Sequence, residues 1–140
     1  SKISDGAAAT VLMSGAEAER RGIEPLARIV AHATFAQEPE WFTTAPSTAV
    51  AIVVGKAGWT MDQVDLFEIN EAFAVVTMAA LKDVGISHDK VNVNGGACAL
   101  GHPIGMSGNR LALTLLHELK RRGGRRGLRR FDANATRRLS

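Results

Sequence analysis

The sequence has one cysteine, Cys98, in 140 residues. A lone thiol can neither close an internal disulfide nor supply a multi-thiolate zinc site, which fits a reducing compartment such as the cytoplasm. Long apolar runs are missing too: none approaches the roughly 18 residues of a membrane span. The N-terminus, Ser1-Lys2-Ile3-Ser4-Asp5, lacks the charged-then-apolar pattern of a signal peptide. Neither a membrane nor a secretory role is expected. Basic residues are scarce until the end of the chain. Residues 120–140 hold nine of the 17 lysines and arginines against one acid, Asp132, for a net charge of +8, while residues 1–119 sum to −5. A nucleic-acid binder is expected to carry a basic face with interleaved aromatics on its folded part. Here the arginines trail a helix and Phe131 is the one aromatic among them, so a solvated basic end fits better and no nucleic-acid partner is expected. What remains, 46% apolar and 22% charged, is enough for one domain with a core. The chain opens on Ser1 rather than Met, which points to a fragment.

Along the chain, strand-like and helix-like segments alternate. Ala7–Met13 is small and β-branched and reads as a buried strand. Ser14 with Glu17 has capping-box spacing, and a short helix then runs to Arg21 and stops at Gly22. Leu26–Phe35 is apolar enough to predict a strand covered on both faces. Pro39 and Trp41 mark a loop. Pro46 sits at a helix start, Val50, Val53, Val54 and Ala57 recur at helical spacing, and Gly58 ends the helix. Val64–Ile69 reads as a strand ended by Asn70. Ala72–Val84 is apolar almost all round and predicts a helix buried on most sides, capped by Gly85. Val91–Val93 is a brief strand leading into a glycine-rich loop. The last helix carries Ile104, Gly108, Leu111, Leu115 and Leu119 on one stripe. This alternation predicts an α/β fold, a mixed sheet covered by helices.

Two loops could carry chemistry. Asn70-Glu71-Ala72-Phe73 is one; Asn92 to Gly108 is the other, with five glycines from Gly95 to Gly108. Glycine at that density marks positive φ angles or close approach of the backbone to something else. It is not a phosphate loop, since Gly101 is followed by His102-Pro103 rather than Lys and Ser or Thr, and no G-x-G-x-x-G occurs. His102 stands at a helix mouth, where the helix dipole favours a neutral imidazole that can donate one hydrogen bond and accept a proton. It could equally do no more than cap the helix, with Pro103 at the first helical position. Asn70 could hold a water or a substrate oxygen, or simply N-cap the helix behind it. Cys98, four residues before His102, could be a nucleophile, but among Ala97, Ala99 and Leu100 it reads as a small buried hydrophobe. Two ligands do not make a metal site, and none is expected. His32 reads as a core residue, and His88 and His117 as solvated.

Asn70-Glu71-Ala72-Phe73, Asn92-Val93-Asn94-Gly95-Gly96-Ala97 and Gly101-His102-Pro103-Ile104-Gly105 together resemble the C-terminal half of a thiolase, over about residues 1–127. Asp5-Gly6-Ala7-Ala8-Ala9 is similar to the entry of that half. The resemblance implies acyl transfer between coenzyme A thioesters: condensation of acetyl-CoA to acetoacetyl-CoA, or thiolysis of a 3-ketoacyl-CoA. No cofactor is implied, coenzyme A thioesters being substrates. His102 would be base and oxyanion donor, and Asn70 would hold the oxyanion-hole water. Ala72 and Phe73 would line the pantetheine tunnel, with Ser1 near the pantetheine. The nucleophilic cysteine would come from an N-terminal half that this chain lacks, and the complete enzyme would be a homo-oligomer.

One part departs from the pattern. The family's second cysteine, in a Cys-x-Gly loop after the last helix, has no counterpart, and the sequence that follows Arg126-Gly127-Leu128 resembles no thiolase ending and reads like a shifted reading frame or a sequencing error. The domain is therefore taken as residues 1–127, with 128–140 a disordered basic tail, the last strands missing and the chain disordered from about Gly123. The isolated chain is expected to be inactive. The alternative is a catalytically dead remnant that binds coenzyme A or a partner protein.

Overall fold

The computed structural model describes residues 1–130 and 134–138. Five α-helices are present there: α1 (Gly15–Arg20), α2 (Ala45–Lys56), α3 (Ala74–Val84), α4 (Ala97–Leu100) and α5 (Ile104–Arg122). Four strands, β1 (Ala27–His32), β2 (Leu66–Ile69), β3 (Arg126–Arg130) and β4 (Asn134–Arg138), form one sheet in the order β1-β4-β3-β2. β2 and β3 are parallel, whereas β3–β4 and β4–β1 are antiparallel. The α/β mixed sheet expected from the alternation is therefore present.

Local sequence explains most element ends. The Ser14 side chain accepts from the Glu17 backbone N–H to start α1, which closes before Gly22 at φ 64°. Pro46 stands in the first turn of α2. Gly58, Gly85 and Gly123 take left-handed φ angles of 67°, 67° and 73° beyond α2, α3 and α5, a conformation costly for any residue with a Cβ.

The sheet separates two cores. One face of β2, Phe67 and Ile69, packs with Val50, Val53 and Val54 of α2, Ala80 of α3 and Leu128 of β3. The opposite face carries Leu66, which packs on Leu115 and Leu119 of α5. The strand period of two then turns Glu68 and Asn70 toward α5 as well. Asn70 lies near the N-terminal end of that helix, and this alternation positions the site.

Several expectations are corrected. Residues 7–13 form no strand; Val11 and Leu12 are exposed, because no strand of the sheet lies alongside to satisfy that backbone. Among the described residues β1 is an edge strand paired only with β4, and Ile29 is 52% exposed rather than covered on both faces. His32, at its end, is exposed and not part of the core. α3 buries Val76, Thr77 and Ala80 but leaves Val75 and Met78 exposed, since α2 and the sheet cover one side of it. Of Val91–Val93, only Val91 bridges to Phe67. The buried stripe of α5 is Ser107, Leu111, Leu115, Glu118 and Leu119; Ile104 points outward.

The largest correction concerns the basic end. Strands were expected to be missing there and the chain disordered from about Gly123, with the domain ending at residue 127. Instead β3 crosses that boundary and β4 follows it. Register provides the reason. Leu66 pairs with Gly127 and Phe67 with Leu128, and the parallel ladder is extended by Asp65 N–H to Arg126 O (2.9 Å) and Asn70 N–H to Arg130 O (3.1 Å). Leu128 enters the α2 core fully buried, while Gly127 faces α5. The Asp65 carboxylate accepts from the backbone N–H groups of Arg125 (2.7 Å) and Arg126 (2.8 Å) and fixes the strand's start. The disorder expected for Phe131–Ala133, Leu139 and Ser140 lies outside the described residues.

A Cβ on Gly127 would stand 2.7 Å from Leu119 Cδ1 and 2.8 Å from Leu115 Cδ2. Gly127→Val is therefore expected to destabilise the chain by about 1–3 kcal/mol through overpacking. Urea unfolding checks this; an unchanged midpoint would mean that β3 does not pack on α5.

Candidate active site

The two loops singled out by the sequence meet where β2 ends and α5 begins. Asn70 follows β2 and is buried, and its amide Nδ2 lies 3.5 Å from Nε2 of the half-buried His102. The Oδ1 atom of Asn70 is buried and makes no hydrogen bond among the described residues. Asn70 does not N-cap α3; Phe73 occupies that position, three residues on.

His102 is held from two directions. Its backbone N–H donates to Lys2 O at 2.8 Å, and its ring Nδ1 lies 2.6 Å from Ser107 Oγ. The Ser107 hydroxyl in turn donates to Pro103 O at 3.0 Å. A hydroxyl has one proton, and with that proton on Pro103 the serine oxygen accepts from Nδ1–H. The lone pair is then on Nε2, the atom that faces Asn70. Pro103 is the N-cap of α5, not its first helical residue. Gly101, at φ 88°, allows the turn, and a Cβ there would meet Ser4 Oγ at 2.3 Å, so residues 2–4 and the His102 loop fit only around glycine.

The loops are joined through Glu71. Its carboxylate accepts from Asn92 Nδ2 (3.0 Å) and from the Cys98 backbone N–H (2.8 Å). Gly96 makes room for it, since a Cβ would stand 2.2 Å from Glu71 Cδ. Cys98 itself is exposed, not buried. Ser1 Oγ donates to Ala72 O at 3.4 Å, which places two of the three residues assigned to substrate beside each other; Phe73 is 58% exposed next to them. Among the described residues no three His, Cys, Asp or Glu side chains cluster as a metal site would require.

Sequence reasoning missed Ser107, Asn92 and Glu68. Ser107 lies five residues after His102, where a helical first turn folds back on the loop before it, and that spacing was the available signal. Glu68 sits two residues before Asn70 on the same strand face, 2% exposed, with Oε2 making no hydrogen bond among the described residues. Burial pushes its carboxyl up to about 7; the Arg110 guanidinium opposes the shift, and Glu71 and Glu118 add to it. The three guanidinium nitrogens of Arg110 are also buried without a hydrogen-bond partner among the described residues.

The sequence profile described as "Thiolase, C-terminal domain" matches residues 23–135, and the chain belongs to that family. It is 54% identical over 128 residues to the cytosolic acetyl-CoA acetyltransferase of Mus musculus, covering 91% of this chain and 32% of that protein. Acetyl-CoA acetyltransferase 2 of Arabidopsis thaliana is 55% identical over 128 residues, with the same coverage. The crystal structure of the Bacillus anthracis acetyl-CoA acetyltransferase superposes with a TM-score of 0.87 at 38% identity, over 91% of this chain and 34% of that one. Human mitochondrial 3-ketoacyl-CoA thiolase gives 0.85 at 36% identity, with the same coverage. The chain thus spans about a third of the length of these relatives and corresponds to a C-terminal fragment of them. The matched region reaches beyond residue 127, as the strands do.

Glu68 carries a pH signature. Its pKa is raised on folding, so the folded state binds its proton more tightly, and the associated stability is full below about 4.5 and lost as pH rises to about 7. The loss is of the order of 3 kcal/mol. Glu68→Gln, a mimic of the neutral form, is expected to flatten this decline between pH 4.5 and 7 and to be more stable than the parent at pH 8. Chemical denaturation across that range checks it; an unchanged slope would mean that Glu68 is not the group responsible.

Proposed function

We propose that this chain supplies the C-terminal part of an acyltransferase acting on coenzyme A thioesters, either condensing acetyl-CoA to acetoacetyl-CoA or cleaving 3-ketoacyl-CoA. The observation that carries this reading is the pairing of Asn70 Nδ2 with His102 Nε2 while Ser107 holds the opposite ring nitrogen. The activities named for the relatives agree with it.

In this reading, Nε2 takes the proton of a cysteine thiol contributed by the N-terminal part of the complete protein. The thiolate attacks the thioester carbonyl, and the C–S bond to coenzyme A breaks as the tetrahedral intermediate collapses. Charge develops on the carbonyl oxygen, where the protonated Nε2–H and a water held by Asn70 donate to it. Donors fixed in advance are a large contribution to such reactions. Ser107 keeps the proton on Nδ1 and so leaves Nε2 as the basic atom. Ser1, Ala72 and Phe73 lie along the pantetheine. The complete enzyme is a cytoplasmic homo-oligomer, a placement supported by the cytosolic mouse relative. No helix among the described residues is long and apolar enough to cross a membrane.

The chain alone is expected to show no turnover of acetoacetyl-CoA with coenzyme A, since Cys98, its one cysteine, matches no catalytic cysteine of the family. Thiolysis by the purified chain that Cys98→Ser abolishes would overturn this and make Cys98 the nucleophile. In a complete enzyme carrying this segment, His102→Ala is expected to cost more than Asn70→Ala, because His102 serves as base and direct donor while Asn70 acts through water. Losing one oxyanion donor costs about 100- to 1000-fold in kcat. Losses below about tenfold for both would leave only structural roles for the two residues.

A further inference from the structure

We propose that Asn92 is a positioning residue for Asn70, fixing the backbone of Ile69 before it and the side chain of Glu71 after it through a side-chain amide that replaces a missing stretch of strand. The proposal rests on the reading of Asn70 as a site residue.

β2 is paired along one edge by β3, up to Asn70 N–H on Arg130 O. Along the other edge pairing starts with the Phe67–Val91 bridge and Asn92 N–H on Phe67 O at 2.9 Å, and then stops. Asn92 turns the chain away at φ 48°, the one positive φ of a non-glycine residue among those described, and its carbonyl accepts from Gly95 N–H at 2.8 Å. A continuing strand would have served Ile69. In its place Asn92 Oδ1 accepts from Ile69 N–H at 2.8 Å, and Nδ2 donates to Ile69 O at 2.8 Å. The side-chain amide thus makes both bonds a neighbouring peptide would make.

The second proton of Nδ2 goes to Glu71 Oε1 at 3.0 Å, and Glu71 Oε2 accepts from Cys98 N–H at 2.8 Å in the space left by Gly96. Residues 69 and 71 are therefore both tied to one amide, and Asn70 stands between them. That bracket matters because Asn70 Oδ1 is buried without a hydrogen-bond partner among the described residues. An amide left unsatisfied in this way gains by turning toward any donor within reach, unless its backbone is held.

The polarity of the Asn92–Glu71 bond makes the proposal testable in the full 140-residue chain. Asn92→Asp is isosteric but removes both donors and sets a carboxylate against Glu71. It is expected to shift the Asn70 side-chain amide resonances and to speed hydrogen exchange at the Cys98 amide about tenfold or more, with the Leu115 and Leu119 methyl signals in place. Adding Glu71→Gln restores a donor–acceptor pair of reversed polarity and is expected to return the Asn70 signals most of the way. Glu71→Gln alone, which leaves Ile69 pinned, should also move them and serves if Asn92→Asp does not fold. A role in packing alone predicts that the isosteric variant leaves the Asn70 signals unmoved while melting falls; that result, or single and double variants that merely add, would overturn the proposal. Asn70→Ala separates the two readings: if the His102 ring signals ignore it, the Asn70–His102 site fails, while the Asn92 result still stands on the Asn70 amide itself.

Discussion

Asn70 and His102 are 32 residues apart and come within 3.5 Å only because β2 lies against α5. That docking is apolar at one end and polar at the other. Leu66 meets Leu115 and Leu119, Glu68 follows, buried and within reach of the charge of Arg110, and Asn70 lies buried beside the helix start. The apolar end contributes the driving force and the strand period carries the polar residues to their places. A slip of one residue in β2 would turn Asn70 away from α5 and put Ile69 there, so the proposed chemistry depends on register as much as on residue type.

Glycine sets the second constraint. The loop from Gly95 to Gly108 is glycine-rich for reasons that differ by position. Gly101 is needed for its φ of 88° and for the approach of Ser4, whereas Gly96 is needed for the volume occupied by the Glu71 carboxylate. Both keep the loop close to its neighbours, and the loop in turn holds His102. Ser107 and Lys2 then fix the ring and the backbone of that residue.

Much of this was legible in sequence because it is local. The Ser14 cap, the glycines that end the first three helices, and the amphipathic stripe of α5 follow from spacing within a few residues. The two motif loops were found because asparagine, histidine and clustered glycine have few structural reasons to occur together. What was not legible depends on residues far apart. The exposure of β1 and of Val75 and Met78 follows from which elements cover them, and the apolar sequence is the same either way. Asn92 reads as one more loop residue until Ile69 is beside it. The basic end reads as disordered from composition, yet Gly127 and Leu128 fall in register with Leu66 and Phe67, and that alternation outweighs the charge of the arginines around them.

The most direct test of the central claim, that Asn70 and His102 form one anion-stabilising site, is a crystal structure of a complete enzyme carrying this segment with an acetyl-CoA thioester bound. The account predicts the thioester oxygen within about 2.7–3.1 Å of His102 Nε2 and of a water held by Asn70. A thioester oxygen bound by other groups, with His102 and Asn70 more than one water away, would contradict it.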